Sequence, residues 1–256
     1  MNKNTVNSYA LDEIGKYLNL EIYGFQVRCP YYINRIQNDV CVLLRGMKIS
    51  EEKISEFCEL YKNNNLLHGW YRGKGKPEEI VSATKTISKK ADFLINKTSS
   101  DYIREFMILF GLGIDCSGFV YNVLAFALRQ IGGEKEFIES LDWKDKKNTV
   151  VSKAGAFVFG GDASVEIQPE EIEPLDLILI KSKGGIYQHI ALIVKRDGRL
   201  CVAQSNVGVV PFGVYVHGLN IRQNKPTFDY KPLGEESWEN FYKKGQLEFR
   251  RLKILM

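Results

Sequence analysis

Gly113-Ile114-Asp115-Cys116-Ser117-Gly118-Phe119-Val120 is the stretch around which the rest of the chain is organised. The Phe110-Gly111-Leu112-Gly113 run before it breaks regular structure. Asp115 is a good helix N-cap. The apolar run from Cys116 to Ile131 then reads as a buried helix, with Gly132 and Gly133 to end it. Cys116 therefore falls on the first turn. Unpaired N–H groups and the helix dipole there favour a thiolate, and the same amides can hold a developing oxyanion. The competing reading is a small core residue, which is what most free cysteines are.

A nucleophilic cysteine needs a base. The chain has three histidines, His68, His189 and His217. His189 opens the continuous apolar run Ile190–Val194, which reads as a buried strand. A lone strand histidine is more often a satisfied core residue, but one that accompanies a cysteine on a helix N-terminus is a candidate base. His68 and His217 lie in no apolar or nucleophile context and are assigned no role. The base in turn needs a polar partner to hold its ring and tautomer. Asp197-Gly198 is a two-residue hairpin signal, so Arg196 faces Arg199, Ala191 faces Gln204 and His189 faces Asn206. Directly opposed residues share a face, which leaves Gln204 and Asn206 as the candidates. A three-residue loop would reverse this.

Three signals in order, Asp115-Cys116-Ser117-Gly118-Phe119-Val120, Glu173-Pro174-Leu175-Asp176-Leu177-Ile178 and His189-Ile190-Ala191-Leu192-Ile193-Val194, resemble the NlpC/P60 family of papain-like thiol hydrolases. The resemblance covers roughly residues 100–216. Leu175 stands where the family usually has glycine, and the usual aromatic and paired glycines before the Asp-Cys are not evident. The resemblance implies an α+β papain-like fold, with the Cys116 helix packed on a central antiparallel sheet carrying His189 and a polar residue on the next strand. Gln204 is favoured for that third group, with Asn206 second. It further implies a substrate-side role for Ser117 and the adjoining Asp115, although Ser117 reads equally as a first-turn serine with no ligand and Asp115 reads better as a cap than as a catalytic acid. The implied reaction is hydrolysis of an amide in a peptidoglycan stem peptide, with no cofactor.

The 256 residues suffice for a catalytic domain, 96–256, plus an N-terminal α/β extension, 1–95. That extension is a substrate-binding module, on the strength of Tyr31, Tyr32, Trp70 and Tyr71, or a part packed on the catalytic domain. The net charge of +4 is spread among mixed signs and forms no stripe for nucleic acid. The five cysteines are irregularly spaced, with no CxxC or HExxH, which argues against a zinc site or disulfide framework. No apolar run approaches the ~20 residues of a membrane span. The polar N-terminus lacks a signal peptide, so the expectation is a cytoplasmic protein or one exported by another route. Other thiol hydrolase or acyltransferase substrates, and a non-catalytic peptide- or glycan-binding domain, remain alternative readings.

Elsewhere the pattern predicts helices over residues 1–20, Glu51–Tyr61, from Pro77 through Ile87, and about 100–110. Strands are expected at 20–27, Leu175–Ile180, His189–Val194 and Leu200–Ser205, with short apolar runs at Val40–Leu44, Val207–Val210 and Val214–Val216 and a last strand from Leu247. The alternation flips at Arg250-Arg251, which predicts a bulge. The loop 68–77 reads as a solvated turn rather than an anion site. Glu134–Lys147 and the Gly-rich stretch after it read as an insertion or flap.

Overall fold

A computed structural model describes residues 2–32, 51–52, 55, 73–90, 99–144, 149, 151–208, 212–230 and 236–256. The expected helix over Glu51–Tyr61, the short buried run at 40–44, Trp70, Tyr71 and His68 lie wholly or mainly outside these residues. The described part is an α+β fold built on a seven-stranded sheet in which neighbouring strands run antiparallel.

The chain begins with α1 (Lys3–Leu18), capped by the Asn2 side chain. A hairpin of β1 (Leu20–Ile22) and β2 (Phe25–Val27) follows. Then come α2 (Pro77–Lys90), α3 (Ser100–Leu109) and α4 (Cys116–Arg129). Beyond α5 (Glu134–Ser140), the sheet is laid down as β3 (Ser164–Ile167), β4 (Leu177–Lys181), β5 (Tyr187–Arg196), β6 (Arg199–Asn206), β7 (Gly213–Arg222) and β8 (Lys225–Phe228). The short α6 (Trp238–Lys243) and β9 (Leu247–Leu252) complete it. The strand order is β3-β9-β4-β5-β6-β7-β8, so the last strand slots between β3 and β4.

Continuous apolar strands imply a sheet covered on both faces. Leu177, Leu179, Ile190, Leu192 and Val194 join one core with Phe119, Val120, Val123 and Leu124 of α4. Ile178, Ile180, Ala191, Ile193 and Val202 alternate to the other face, where Trp238, Phe228 and Tyr230 cover them. Val6, Ala10, Ile14 and Tyr17 of α1 belong to the α4 core. The described part of residues 1–95 thus shares apolar packing with the Cys116 helix.

Three expectations need correction. Glu134–Ser140 is a helix, not a flap, because Phe137 is fully buried under Tyr121. No bulge occurs at Arg250-Arg251: β9 stays in register with β3 from Ser164↔Leu252 to Ile167↔Phe249. Each arginine is accommodated by partners instead. Arg250 bonds Ser164 and Glu248, and Arg251 grips the buried Asp176 carboxylate at 2.7 and 2.8 Å. The solvated turn expected at 68–77 is replaced, over Gly73–Gly75, by a buried strap across the start of α4.

Candidate active site

The stretch before Cys116 is held like a short strand. Ile114 donates to Pro30 O at 3.1 Å, and its carbonyl accepts from Tyr32 N and from Ser205 Oγ. Gly113 has to be glycine: a Cβ there would stand 2.4 Å from Pro30 O. The Asp115 carboxylate caps α4 by accepting from Gly118 N at 2.7 Å. Gly118 is required for a separate reason. The strap crosses so closely that a Cβ would stand 2.4 Å from Gly73 O. Asn122 fastens the same strap from the next helical turn by donating to Lys74 O at 3.0 Å and Gly75 O at 3.2 Å.

Lys74 anchors the strap. Its buried ammonium donates to Asp115 Oδ1 at 2.7 Å, Ser117 Oγ at 2.6 Å and Ala154 O at 2.7 Å, which uses all three of its N–H bonds. Ser117 Oγ in turn donates to Asp115 Oδ1 at 3.2 Å. A hydroxyl has one donor and two lone pairs, so Ser117 keeps one lone pair for a ligand donor. Asp115 and Ser117, expected on the substrate side, thus lie together in a network dominated by a lysine 41 residues upstream of Asp115.

The hairpin places the candidate base, His189. Asp197 and Gly198 take φ of 51° and 77°, the left-handed pair of a type I′ turn. Arg196 pairs with Arg199, and the register runs without a slip to Leu192↔Ala203. Beyond that pair no β5–β6 ladder continues, while β6 stays paired with β7 as far as Asn206↔Gly213. Ile193 N donates toward β4, to Asp176 O at 2.8 Å. By alternation Ile190 N–H points to the β6 side, where the ladder has ended. Cys116 occupies that gap: the backbone N–H groups of Ile190 and Ser117 donate toward its sulfur. The nucleophile candidate therefore lies against the backbone of Ile190, the residue after the base candidate, at the splayed end of two strands.

His189 Nε2 lies 2.8 Å from Gln204 Oε1. Asn206 stands behind, with Nδ2 donating to the same Oε1 at 3.2 Å and to Tyr230 Oη at 3.1 Å. Gln204 Nε2 meets His217 Nε2 at 3.0 Å. Trp238 closes the group edge-on, its ring centroid 5.7 Å from His189 and 5.6 Å from His217. His217, assigned no role from sequence, is thus in the same network. The signal that could have found it is the alternation Val214, Tyr215, Val216, His217: the register Gln204↔Tyr215 and Val202↔His217 sets the polar pair on the Gln204 face. Lys74 and Trp238 left no local signal.

The electrostatics correct the thiolate expectation. Burial, then the neighbouring Asp115 carboxylate, push the Cys116 thiol up to about 11, and the backbone donors and Lys74 only partly offset this. Burial lowers His189 to about 4 against the opposing pull of Gln204. His217 is likewise lowered to about 4 by burial, opposed first by the Gly218 carbonyl. Both shifts favour the uncharged forms at neutral pH, a thiol at Cys116 and a neutral imidazole at His189. Tyr31, bridged to Ile114, has its phenol held above the usual range by burial and then by the charges of Cys116 and Asp115.

Comparison of the chain with protein-family models, with curated proteins and with solved structures returned no match. Among the described residues, Cys29, Cys116 and Cys201 are free, and no three His, Cys, Asp or Glu side chains are grouped to hold a metal. No described helix is long and apolar enough to cross a membrane. Leu175 is buried and takes φ of 76°, the left-handed conformation that glycine adopts without strain.

Proposed function

We propose that the protein is a papain-like cysteine hydrolase of the NlpC/P60 kind that cleaves an amide through an acyl-enzyme on Cys116. The observation that carries this reading is the His189–Gln204 hydrogen bond at the strand end where Cys116 meets the Ile190 backbone. His189 takes the Cys116 proton at Nδ1 as sulfur attacks the carbonyl carbon. The Cys116 backbone N–H at the start of α4 holds the oxyanion. The proton then passes from Nδ1 to the leaving amine, and water, activated by the same nitrogen, releases the acid and restores the thiol. The neutral resting pair makes His189 a general base rather than a preformed cation.

The resemblance makes a peptidoglycan stem-peptide amide the first substrate class. Small activated esters probe the broader reading of a thiol hydrolase on other acyl groups. The test is acylation of the intact chain by both substrate types, with adducts mapped to each cysteine by mass spectrometry. The expected result is an adduct on Cys116 that forms on the order of 10²–10⁴-fold more slowly in His189→Ala, the usual worth of a general base. Acylation of Cys116 no faster than that of Cys201, or unchanged in His189→Ala, would overturn the proposal.

A further inference from the structure

An amide side chain can be turned over with little change of shape, and its two ends then exchange donor for acceptor. Gln204 bonds His189, so its orientation decides which imidazole nitrogen carries the proton. That orientation can be traced from a fixed point. Gly208 N, a backbone donor, bonds Asn206 Oδ1 at 3.0 Å. The other end of Asn206 must then be Nδ2, and it donates to the Gln204 atom 3.2 Å away. That atom must be Oε1. His189 Nε2, 2.8 Å from the same oxygen, must carry a hydrogen, which leaves Nδ1 bare. The far end of Gln204 is Nε2, a donor, so His217 Nε2 at 3.0 Å must be bare. The His217 proton is then on Nδ1, facing Gly218 O at 3.4 Å. Both rings are neutral at pH 7, because burial lowers each to about 4.

We propose that His217 and Asn206 are positioning residues that clamp the Gln204 amide from its two ends and thereby hold His189 in the tautomer whose Nδ1 can accept the Cys116 proton. A turned Gln204 would set its Nε2 against the Asn206 donor and its Oε1 against the bare His217 nitrogen. Two hydrogen bonds would become two repulsive contacts. His189 would then have to move its hydrogen to Nδ1, where it blocks proton transfer from the thiol. The aromatic rings around His217 support the clamp: Tyr230 stacks on it at 5.1 Å and Trp238 stands edge-on. Gln204 itself is fully buried, so water cannot replace a lost partner without rearrangement. The catalytic consequence rests on the hydrolase reading, whereas the tautomers do not.

The test reads the tautomers directly, by long-range ¹H–¹⁵N correlation on the full chain labelled at its three histidines. The expected result is opposite tautomers: hydrogen on Nε2 in His189 and on Nδ1 in His217. The same tautomer in both rings would overturn the proposal. Asn206→Asp keeps the acceptor for Gly208 but puts an acceptor in place of the Gln204-facing donor. It should turn Gln204 over, invert both tautomers and slow Cys116 acylation at least about tenfold, with half-saturating probe concentration unchanged. His217→Phe keeps a ring but loses the acceptor, and should slow acylation about three- to tenfold, the worth of one hydrogen bond. His217→Gln, whose amide oxygen can accept in its place, should recover most of that loss. If His217→Phe does not fold, Asn206→Asp decides alone. An unmoved His189 tautomer in Asn206→Asp would overturn the clamp even if the wild type hydrolyses amides. Inverted tautomers in a protein without acylation would keep the clamp and overturn the hydrolase reading.

Discussion

Replacing Lys74 with methionine keeps most of the side-chain volume and removes the ammonium that ties the strap to the start of α4. Three charge-assisted hydrogen bonds disappear, to Asp115, Ser117 and the Ala154 carbonyl. Asp115 keeps the Gly118 N–H and the Ser117 hydroxyl, but the Ala154 carbonyl loses this donor. Removing one partner of a buried ion pair costs about 3–5 kcal/mol, because the other charge is left uncompensated. The Asp115 side chain is 21% exposed against 7% for Lys74, so water recovers part of this for the carboxylate. The expected loss is therefore about 3 kcal/mol, near the lower end of that range. For a domain of this size, it corresponds to a melting point lower by roughly 6–12 °C. Urea unfolding of Lys74→Met, Asp115→Asn and the double variant would measure it. The coupling between the two substitutions should be about 1.5–3 kcal/mol, since they share one network. A loss under about 1 kcal/mol in Lys74→Met, with no coupling to Asp115→Asn, would refute the claim that this ammonium fixes the Cys116 helix.

Acid should destabilise the fold through its buried histidines. His217 is lowered from 6.5 to about 4, so its contribution is complete above pH 6.5 and is lost as pH falls through about 4. A shift of that size corresponds to about 3 kcal/mol, and the urea midpoint of His217→Phe should fall less than that of wild type between pH 7 and pH 4. Under the hydrolase reading, acylation needs a neutral His189 and a protonated thiol for proton transfer to the leaving group. Its rate should rise through about pH 4 and fall through about pH 11, and a profile with a limb near neutral pH would contradict a neutral resting pair. Gly118→Ala places a methyl 2.4 Å from Gly73 O and should cost about 2–4 kcal/mol in a thermal or urea melt. A neutral effect would show that the strap yields freely. Arg251→Met leaves the buried Asp176 carboxylate without its guanidinium and should cost about 3 kcal/mol, with Asp176→Asn in the same background restoring part of it.

The parts of the fold that local rules govern were legible in the sequence. Asp115 as a cap and Cys116 at the start of a helix follow from side-chain chemistry over a few residues. The Asp197-Gly198 turn fixed its hairpin register because a left-handed pair matches the twist of the strands it joins. That register was enough to set Gln204 and Asn206 on the His189 face. Where the hydrophobic alternation misled, at Arg250-Arg251, the cause was long-range: both arginines found partners on neighbouring segments, so their charge did not break the strand.

The sequence by itself determined the cysteine's place on its helix, the histidine's place on its strand, and the polar pair on the strand beside it. Each of those depends on neighbours a turn or a hairpin away. Only the tertiary structure decided that β9 enters between β3 and β4, that Lys74 closes over Asp115, and that His217 and Trp238 complete the network around His189. It also decided the protonation state. A helix N-terminus favours a thiolate when it is open to water. Here burial outweighs the backbone donors and Lys74, and burial depends on contacts made across the whole chain rather than on any stretch of it.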